Sequence, residues 1–239
     1  MNTIERLVPE LVASDDTTGE ATLLLHQQRY EFAAKHVRGK RLLDIACGVG
    51  YGTRLMADKV NSFHEILGVD LSRSAIEYAT RNYYGNERVH FLEHDAMTFT
   101  DNEGFDSIVS METLEHFAEP AMLVEQLIGL LHPGGVFIAS VPTTPSTDVN
   151  PFHAHDFTES SFRKMVAMYG MREMACLRQI QHYPFIKTVR RKESRMKDMR
   201  QDLMLYYLTR PEMLVRRLWA TLRYGFTNRY ITIVWLKKP

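Results

Sequence analysis

Short apolar runs alternate along most of the chain with stretches in which apolar residues recur every three or four positions. The run Leu42-Leu43-Asp44-Ile45 and those at 65–70, 89–94, 105–110 and 135–141 predict buried strands, and 53–60, 72–84 and 118–131 predict helices between them. Such alternation describes a doubly wound α/β architecture, a parallel sheet covered on both faces. Before it, Ala21 to Val37 reads as a helix that offers Leu24, Leu25, Tyr30, Phe32, Ala33 and Val37 for burial. After it, 171–180 and 230–236 read as two more strands, with about fifty residues between them. Ser72 is a predicted helix N-cap, Pro133-Gly134-Gly135 a predicted helix stop and turn, and Asp156 or Thr158 the cap of a helix beyond residue 156.

The first strand breaks into Gly48-Val49-Gly50-Tyr51-Gly52, and helical character resumes at once. Glycines allow a tight turn with positive φ and close approach of a ligand, which then faces the N–H groups at a helix N-terminus. No Gly-Lys-Ser/Thr follows, so the turn is not a P-loop. Nor do the glycines follow the G-x-G-x-x-G spacing of a dinucleotide site. Asp44, just ahead of the turn, would repel a pyrophosphate and suits an ammonium or sulfonium. The second strand ends in Asp70, placed to accept hydrogen bonds from ribose hydroxyls. The expected ligand is a nucleoside with a cationic tail. Asp44, Asp70, Asp95 and Met111-Glu112 all fall at carboxyl ends of strands, where open α/β sheets bind ligands.

These segments, LLDIACGVGYG, GVDLS, His94-Asp95-Ala96, FDSIVSMETLEHF and LHPGGVFIASVP, resemble the class I S-adenosylmethionine-dependent methyltransferases in order and spacing, over the middle third to half of the chain. The resemblance implies a Rossmann-like, seven-stranded, mostly parallel sheet with an antiparallel last strand, and S-adenosylmethionine as cofactor with S-adenosylhomocysteine as product. It implies a cofactor-binding set of Tyr30, Asp44, Ala46, Gly48, Gly50, Asp70, Leu71, Asp95, Ala96, Met111 and Glu112. Within that set Asp95 would accept from the adenine amino group. A helix before the core commonly closes over the cofactor in this family, which makes Arg29 and Tyr30 candidates for the methionine carboxylate and the pocket mouth. More loosely, the chain resembles bacterial sugar- and polysaccharide-associated and quinol O-methyltransferases.

With 239 residues, the chain fits one core with additions: a helical cap over 1–38, a core over 39–182 and 228–239, and a helical insertion over 183–227. Its formal net charge of zero gives no global reason to expect nucleic acid as a partner. Cys47 and Cys176 form neither a C-x-x-C pair nor a disulfide framework, and no apolar run is long enough to span a bilayer. The expectation is a cytoplasmic protein. The insertion is basic, with eleven Lys or Arg against four Asp or Glu between Lys187 and Arg223, and its apolar residues recur at helical spacing. It reads as an acceptor lid, as an interfacial helix touching the inner membrane face, or as a homodimer element.

For chemistry, His116 follows the fourth strand, and His153 and His155 lie in a Pro-bounded loop after the fifth. They are the neutral-pH bases expected near the crevice, and His155 is favoured because Asp156 beside it could orient the imidazole. A metal at His-x-His-Asp lacks clear third and fourth ligands, and none is expected. The leading expectation is O-methylation of a sugar, glycan or other small hydroxylated acceptor. A lipophilic quinol or lipid acceptor, and a non-catalytic cofactor-binding partner protein, are the alternatives.

Overall fold

A strand that is apolar on both faces belongs in the interior of a sheet. In the computed structural model, which describes residue 9 and residues 17–83, 85–183 and 202–239, β1 (Arg41–Ile45) takes that place. It is followed by α2 (Tyr51–Lys59), β2 (Glu65–Asp70), α3 (Arg73–Asn82), β3 (Val89–Glu93), β4 (Phe105–Met111), α4 (Pro120–Leu130) and β5 (Leu131–Pro142). Then come α5 (Glu159–Ala167), β6 (Arg172–His182), α6 (Leu203–Thr209), α7 (Pro211–Tyr224) and β7 (Thr227–Leu236), while α1 (Thr17–Ala34) precedes β1. The seven strands are ordered β3-β2-β1-β4-β5-β7-β6. β7 runs antiparallel to both neighbours, Ile138 opposite Val234 on one side and Cys176 opposite Ile233 on the other. The remaining pairs are parallel.

Alternate residues of β1 feed the two faces, as the pleat requires. Leu42 packs with Tyr30 and Ala33 of α1 and Met56 of α2, and Leu43 and Ile45 join the layer under α4 and α5. That second layer is closed by Trp235, stacked on Phe137 at 5.8 Å and met edge-on by Phe162 at 5.0 Å. α1 and α2 approach so closely that a Cβ on Gly52 would stand 2.0 Å from the Tyr30 ring. The far end of α1 is fixed to the sheet edge by Gln179 of β6, which accepts from Arg29 Nε at 2.8 Å and donates to the Leu25 carbonyl.

Some local expectations shift. α1 begins and ends earlier than 21–37, and Leu24 faces solvent. Ser72 does cap α3, accepting from Ala75 N. Pro133-Gly134-Gly135 is not a turn ahead of β5. α4 stops at Leu130, β5 starts at Leu131, and the three residues form an irregularity in which Phe105 pairs with Leu131 but Ser107 with Val136. Gly134, at φ 74°, takes the bend. Thr158, not Asp156, caps α5, in a reciprocal box with Ser161. Of the segment before β7, α6 and α7 are described. Phe185, Ile186, Met196, Met199 and the cations from Lys187 to Arg200 lie outside the described residues, as do residues 10–16 of the N-terminal cap. No described helix is long and apolar enough to cross a membrane.

Candidate active site

The strand ends of β1, β2 and β4 meet the loops after β3 and β5 around a cavity of about 470 Å³. Two residues with side chains hold left-handed backbone among the described residues, Ala46 at φ 58° and Glu112 at φ 51°, and both border this cavity. Strained backbone of this kind costs about 1–3 kcal/mol and persists where the surroundings over-determine it. Gly48, at φ 58°, also borders the cavity, and a Cβ there would meet nothing within 4 Å. Its left-handed φ rather than packing favours glycine there, and the space beside it is open. Gly50, at φ 80°, leads into α2, and a Cβ on it would fall 2.6 Å from Phe91.

Asp70 joins the two neighbouring turns. Its carboxylate accepts from Gly48 N at 2.9 Å and from Ser72 N at 2.8 Å. A carboxylate offers about four lone-pair sites, so it retains capacity for ligand hydroxyls at the cavity wall. Asp44 is placed differently from the expectation. It is fully buried beneath the glycine turn and does not border the cavity, its carboxylate held by Thr53 Oγ1 at 2.6 Å and by Tyr30 OH at 3.3 Å. Burial pushes this carboxyl up to about 7, against the lowering effect of the Thr53 and Tyr30 bonds. Asp44 is therefore a prop for the turn rather than a direct counter-charge for a ligand.

Tyr30, Ala46, Gly48, Asp70 and Leu71 line the cavity, as do Asp95, Ala96, Met111, Glu112 and His116; Gly50, His153 and His155 do not. Asp95 forms an Asx-turn, accepting from Met97 N at 2.9 Å, at the exposed rim. Glu112 accepts from Ser140 Oγ at 2.8 Å and lies 3.6 Å from Arg29. Arg29 itself is buried, with its guanidinium 4.2 Å from the Tyr230 ring centre, and does not border the cavity. Sequence reasoning missed His26, Cys47, Tyr51, Thr113, Phe117 and Phe152, which also line it. Cys47, Tyr51, Thr113 and Phe117 lie inside the LLDIACGVGYG and FDSIVSMETLEHF segments, where the sequence already offered them. His26 and Phe152 arrive from distant segments with no local signal.

The histidines separate into a pair and a bystander. His116 and His153 meet edge-on with ring centres 5.0 Å apart. His116 Nδ1 lies 3.2 Å from the Phe152 carbonyl, which can only accept, so Nδ1 is the donor in that contact. His153 Nδ1 lies 2.6 Å from Ser146 Oγ. Burial, and then the charge of His116, lower His153 to about 4, so it is neutral at pH 7. Backbone N–H groups of Ala154 and His155 donate to the Glu115 carbonyl at 2.8 and 3.0 Å, which fastens the long loop to the turn after β4. The donor atoms of Glu115, His116 and His153 all fall within 4.8 Å of one another.

His155 instead packs on Phe157 at 4.5 Å. Its expected partner is engaged elsewhere: Asp156 accepts from Ser146 N at 2.7 Å, from Thr147 N at 3.1 Å and from Thr147 Oγ1 at 2.7 Å, and pairs with Arg216 at 2.9 Å. The argument that Asp156 orients His155 is thereby corrected, because a carboxylate that closes its own turn has no geometry left for the ring next to it. The basic segment is docked on this loop. Arg217 donates to Asp148 Oδ2 at 2.7 Å and to the Pro145 carbonyl at 2.8 Å, and Tyr207 OH donates to Asp148 at 2.6 Å. Arg216 and Arg217 thus hold the protein's own carboxylates, which removes two cations from the set that could meet an anionic acceptor.

The sheet order, the glycine turn and the strand-end carboxylates define a class of nucleoside-binding Rossmann-like domain. Residues 36–201 match the family model described as "Methyltransferase domain", and the chain belongs to that family. It is 26% identical over 152 residues, 61% of this chain and 57% of the other, to a Mycolicibacterium smegmatis protein described as a probable S-adenosylmethionine-dependent methyltransferase. It is 29% identical over 142 residues, 55% of this chain and 58% of the other, to the ubiquinone biosynthesis O-methyltransferase of Neisseria meningitidis. The chain thus spans a little over half the length of these relatives. In fold it is similar to the N-methyltransferase NodS from Bradyrhizobium japonicum in complex with S-adenosyl-L-homocysteine, with a TM-score of 0.62, 13% identity and coverage of 99% of this chain and 97% of that one. S-adenosylmethionine is the cofactor of this domain, and the cavity has room and polar groups for it: the Asp70 carboxylate borders it, and the space over Gly48 is open.

Proposed function

We infer that the protein moves the methyl group of S-adenosylmethionine to a hydroxyl oxygen of a small acceptor bound at the His116 end of the cavity. The observation that carries this reading is the place of His116, an imidazole at the cavity wall whose ring is oriented by the Nδ1 contact with the Phe152 carbonyl and which is suited to take a hydroxyl proton. When bound, the cofactor supplies an activated methyl, so that the O–C bond forms as the C–S bond breaks and neutral S-adenosylhomocysteine leaves. The residues contribute alignment and proton management. Asp70 and the turn at Ala46–Gly48 would hold the nucleoside, Met111 and Glu112 would line the cavity toward His116, and Tyr30 would close it from α1. His153, bonded to Ser146 and set against His116, holds that imidazole in place.

Of the acceptor classes raised by the sequence, a quinol or related aromatic hydroxyl is better supported than a sugar. Phe117 and Phe152 flank His116 at the cavity, which suits a flat ring, and relatives of this chain include an O-methyltransferase of ubiquinone biosynthesis. A lipophilic acceptor would be met at a membrane surface. Val215, Leu218, Trp219 and Leu222 form an exposed stripe on α7, with Arg223 5.3 Å from the Trp219 ring centre, and this supports peripheral contact with anionic lipid. The test is release of S-adenosylhomocysteine with catechol-type quinols and with sugars. Turnover with sugars alone would overturn the aromatic assignment, and cofactor binding with no turnover on any hydroxyl would favour the non-catalytic reading.

A further inference from the structure

The carboxylates of Asp70, Asp95 and Glu112 border the cavity, whereas Asp44, the acidic group that the sequence sets beside the glycine turn, lies beneath it. Asp70 and Asp95 are tied to the turns after β2 and β3. Glu112 belongs instead to the turn after β4, which also carries His116 and Phe117. Its φ of 51° is a left-handed backbone that a residue with a side chain keeps only where its surroundings enforce it. Ser140 supplies part of that enforcement, for its Oγ accepts from Glu112 N at 3.0 Å and donates to Glu112 Oε1 at 2.8 Å. Arg29 Nη1 stands 3.6 Å from the same oxygen, and Arg29 is fixed in turn by Gln179 and the Tyr230 ring. Because Glu112 borders the cavity and Arg29 does not, a ligand meets the carboxylate, with the cation behind it. Among the described residues the cavity wall carries no lysine or arginine, and Arg216 and Arg217 are engaged by Asp156 and Asp148.

We propose that Glu112 is a specificity-determining residue whose fixed negative charge excludes acceptors bearing a carboxylate or phosphate and so reserves the site for uncharged hydroxyl compounds. An anionic substituent that enters the cavity gives up water, gains no fixed cation from the described wall in exchange, and faces a like charge in a half-enclosed space where screening is weak. An uncharged acceptor of the same shape meets none of this. Specificity is a difference of affinities, so a repulsion confined to the anionic compound is sufficient and needs no added attraction to the neutral one. The inference rests on the hydroxyl-methylation reading and narrows its acceptor, since the flat ring that Phe117 and Phe152 suit would have to arrive without an acidic substituent.

The test compares the catechol dihydroxyphenylacetate with its methyl ester, a pair that differs in charge and little in shape, on the full chain at about pH 7.5, above the ordinary imidazole range. Binding of each is measured by calorimetry to the S-adenosylhomocysteine complex, where no sulfonium offsets the charge of the wall, and methyl transfer is measured as kcat/KM at saturating S-adenosylmethionine. The ester should be favoured by about tenfold or more in both readouts, and the ratio should shrink with added salt. In Glu112→Gln, which keeps the shape and an oxygen for Ser140, the ratio should fall toward one, while S-adenosylhomocysteine binding reports folding. A wild-type chain that binds and methylates the acid as well as the ester overturns the charge selection and leaves methylation of hydroxyls standing. An unchanged ratio in folded Glu112→Gln overturns the assignment to Glu112. Tighter binding of the ester with methylation of neither compound overturns the hydroxyl reading and leaves the selection in place. Binding of neither, with S-adenosylhomocysteine bound normally, overturns the aromatic acceptor and this inference with it.

Discussion

Arg217 and Asp148 form a two-point ion pair that fastens α7 to the loop carrying His153. Burial pushes the Asp148 carboxyl up, but the bonds from Arg217 and Tyr207 outweigh it and hold it below the usual carboxylate range. Replacing Arg217 by alanine leaves a nearly buried carboxylate with the Tyr207 hydroxyl and without its cation. A loss of about 1–3 kcal/mol is expected, less than for a wholly buried pair because Arg217 is 23% exposed. Urea unfolding would read the loss, and limited proteolysis within 183–227 should accelerate while S-adenosylhomocysteine affinity is unchanged.

Asp70→Asn removes a charge that holds two backbone N–H groups and faces the cavity. Charge-assisted hydrogen bonds are worth about 1.5–3 kcal/mol each, so affinity for S-adenosylhomocysteine should fall at least tenfold. Calorimetry decides; unchanged affinity would remove Asp70 from the nucleoside site.

Asp44 makes the stability depend on pH. Its folded pKa, raised to about 7 by burial, exceeds the ordinary carboxylate value, so the folded state holds this proton more tightly. The wild-type chain should therefore lose stability relative to Asp44→Asn as pH rises from about 4 to 7, by up to about 4 kcal/mol, and the gap should be constant above that window. Parallel denaturant melts of the two proteins at pH 5 and pH 8 would measure it. A gap independent of pH would mean that Asp44 titrates normally.

At the acceptor end, His116→Ala should lower kcat by about 10²–10⁴-fold with cofactor affinity nearly unchanged. His155→Ala should have little effect, since that ring packs on Phe157 away from the cavity. A large kcat loss in His155→Ala with normal His116→Ala turnover would reverse the assignment.

Trp219→Glu and Leu222→Glu place charge on the exposed stripe of α7 and should abolish sedimentation with anionic vesicles without changing cofactor binding. Vesicle binding that survives both changes would leave the stripe to another role, such as a contact between copies of the chain.

The sheet and its cofactor end were legible because periodicity and punctuation are local. Leu42 to Ile45 had to be a buried strand, and the glycines after it had to turn; the family resemblance supplied the antiparallel strand. The acceptor end was less legible because it depends on contacts between distant segments. His153 and His155 look equivalent two residues apart in an extended loop. The choice between them is made by Ser146, Phe152 and Glu115, whose positions no pattern within the loop announces. Asp44 misled for a related reason: sequence gives its place at the strand end but not that Thr53 and Tyr30 enclose it. Pro133-Gly134-Gly135 carried every mark of a turn, and only the pairing of β4 with β5 turns it into a bend inside a strand.

β7 occupies an interior position between β5 and β6 although it comes more than eighty residues after β5 in the chain. β6 has no other neighbour in the sheet, and α1 is anchored to β6 through Gln179. During vectorial synthesis, β1 to β5 can therefore assemble as the chain emerges and α1 can pack on α2 and Leu42, whereas its second anchor, Gln179 of β6, is seated only once β7 has been made. The Arg29 bond that ties α1 to the sheet edge is accordingly among the last to form, and a nascent chain stalled before β7 would keep Tyr30 over the glycine turn while Arg29 still lacked its Gln179 partner.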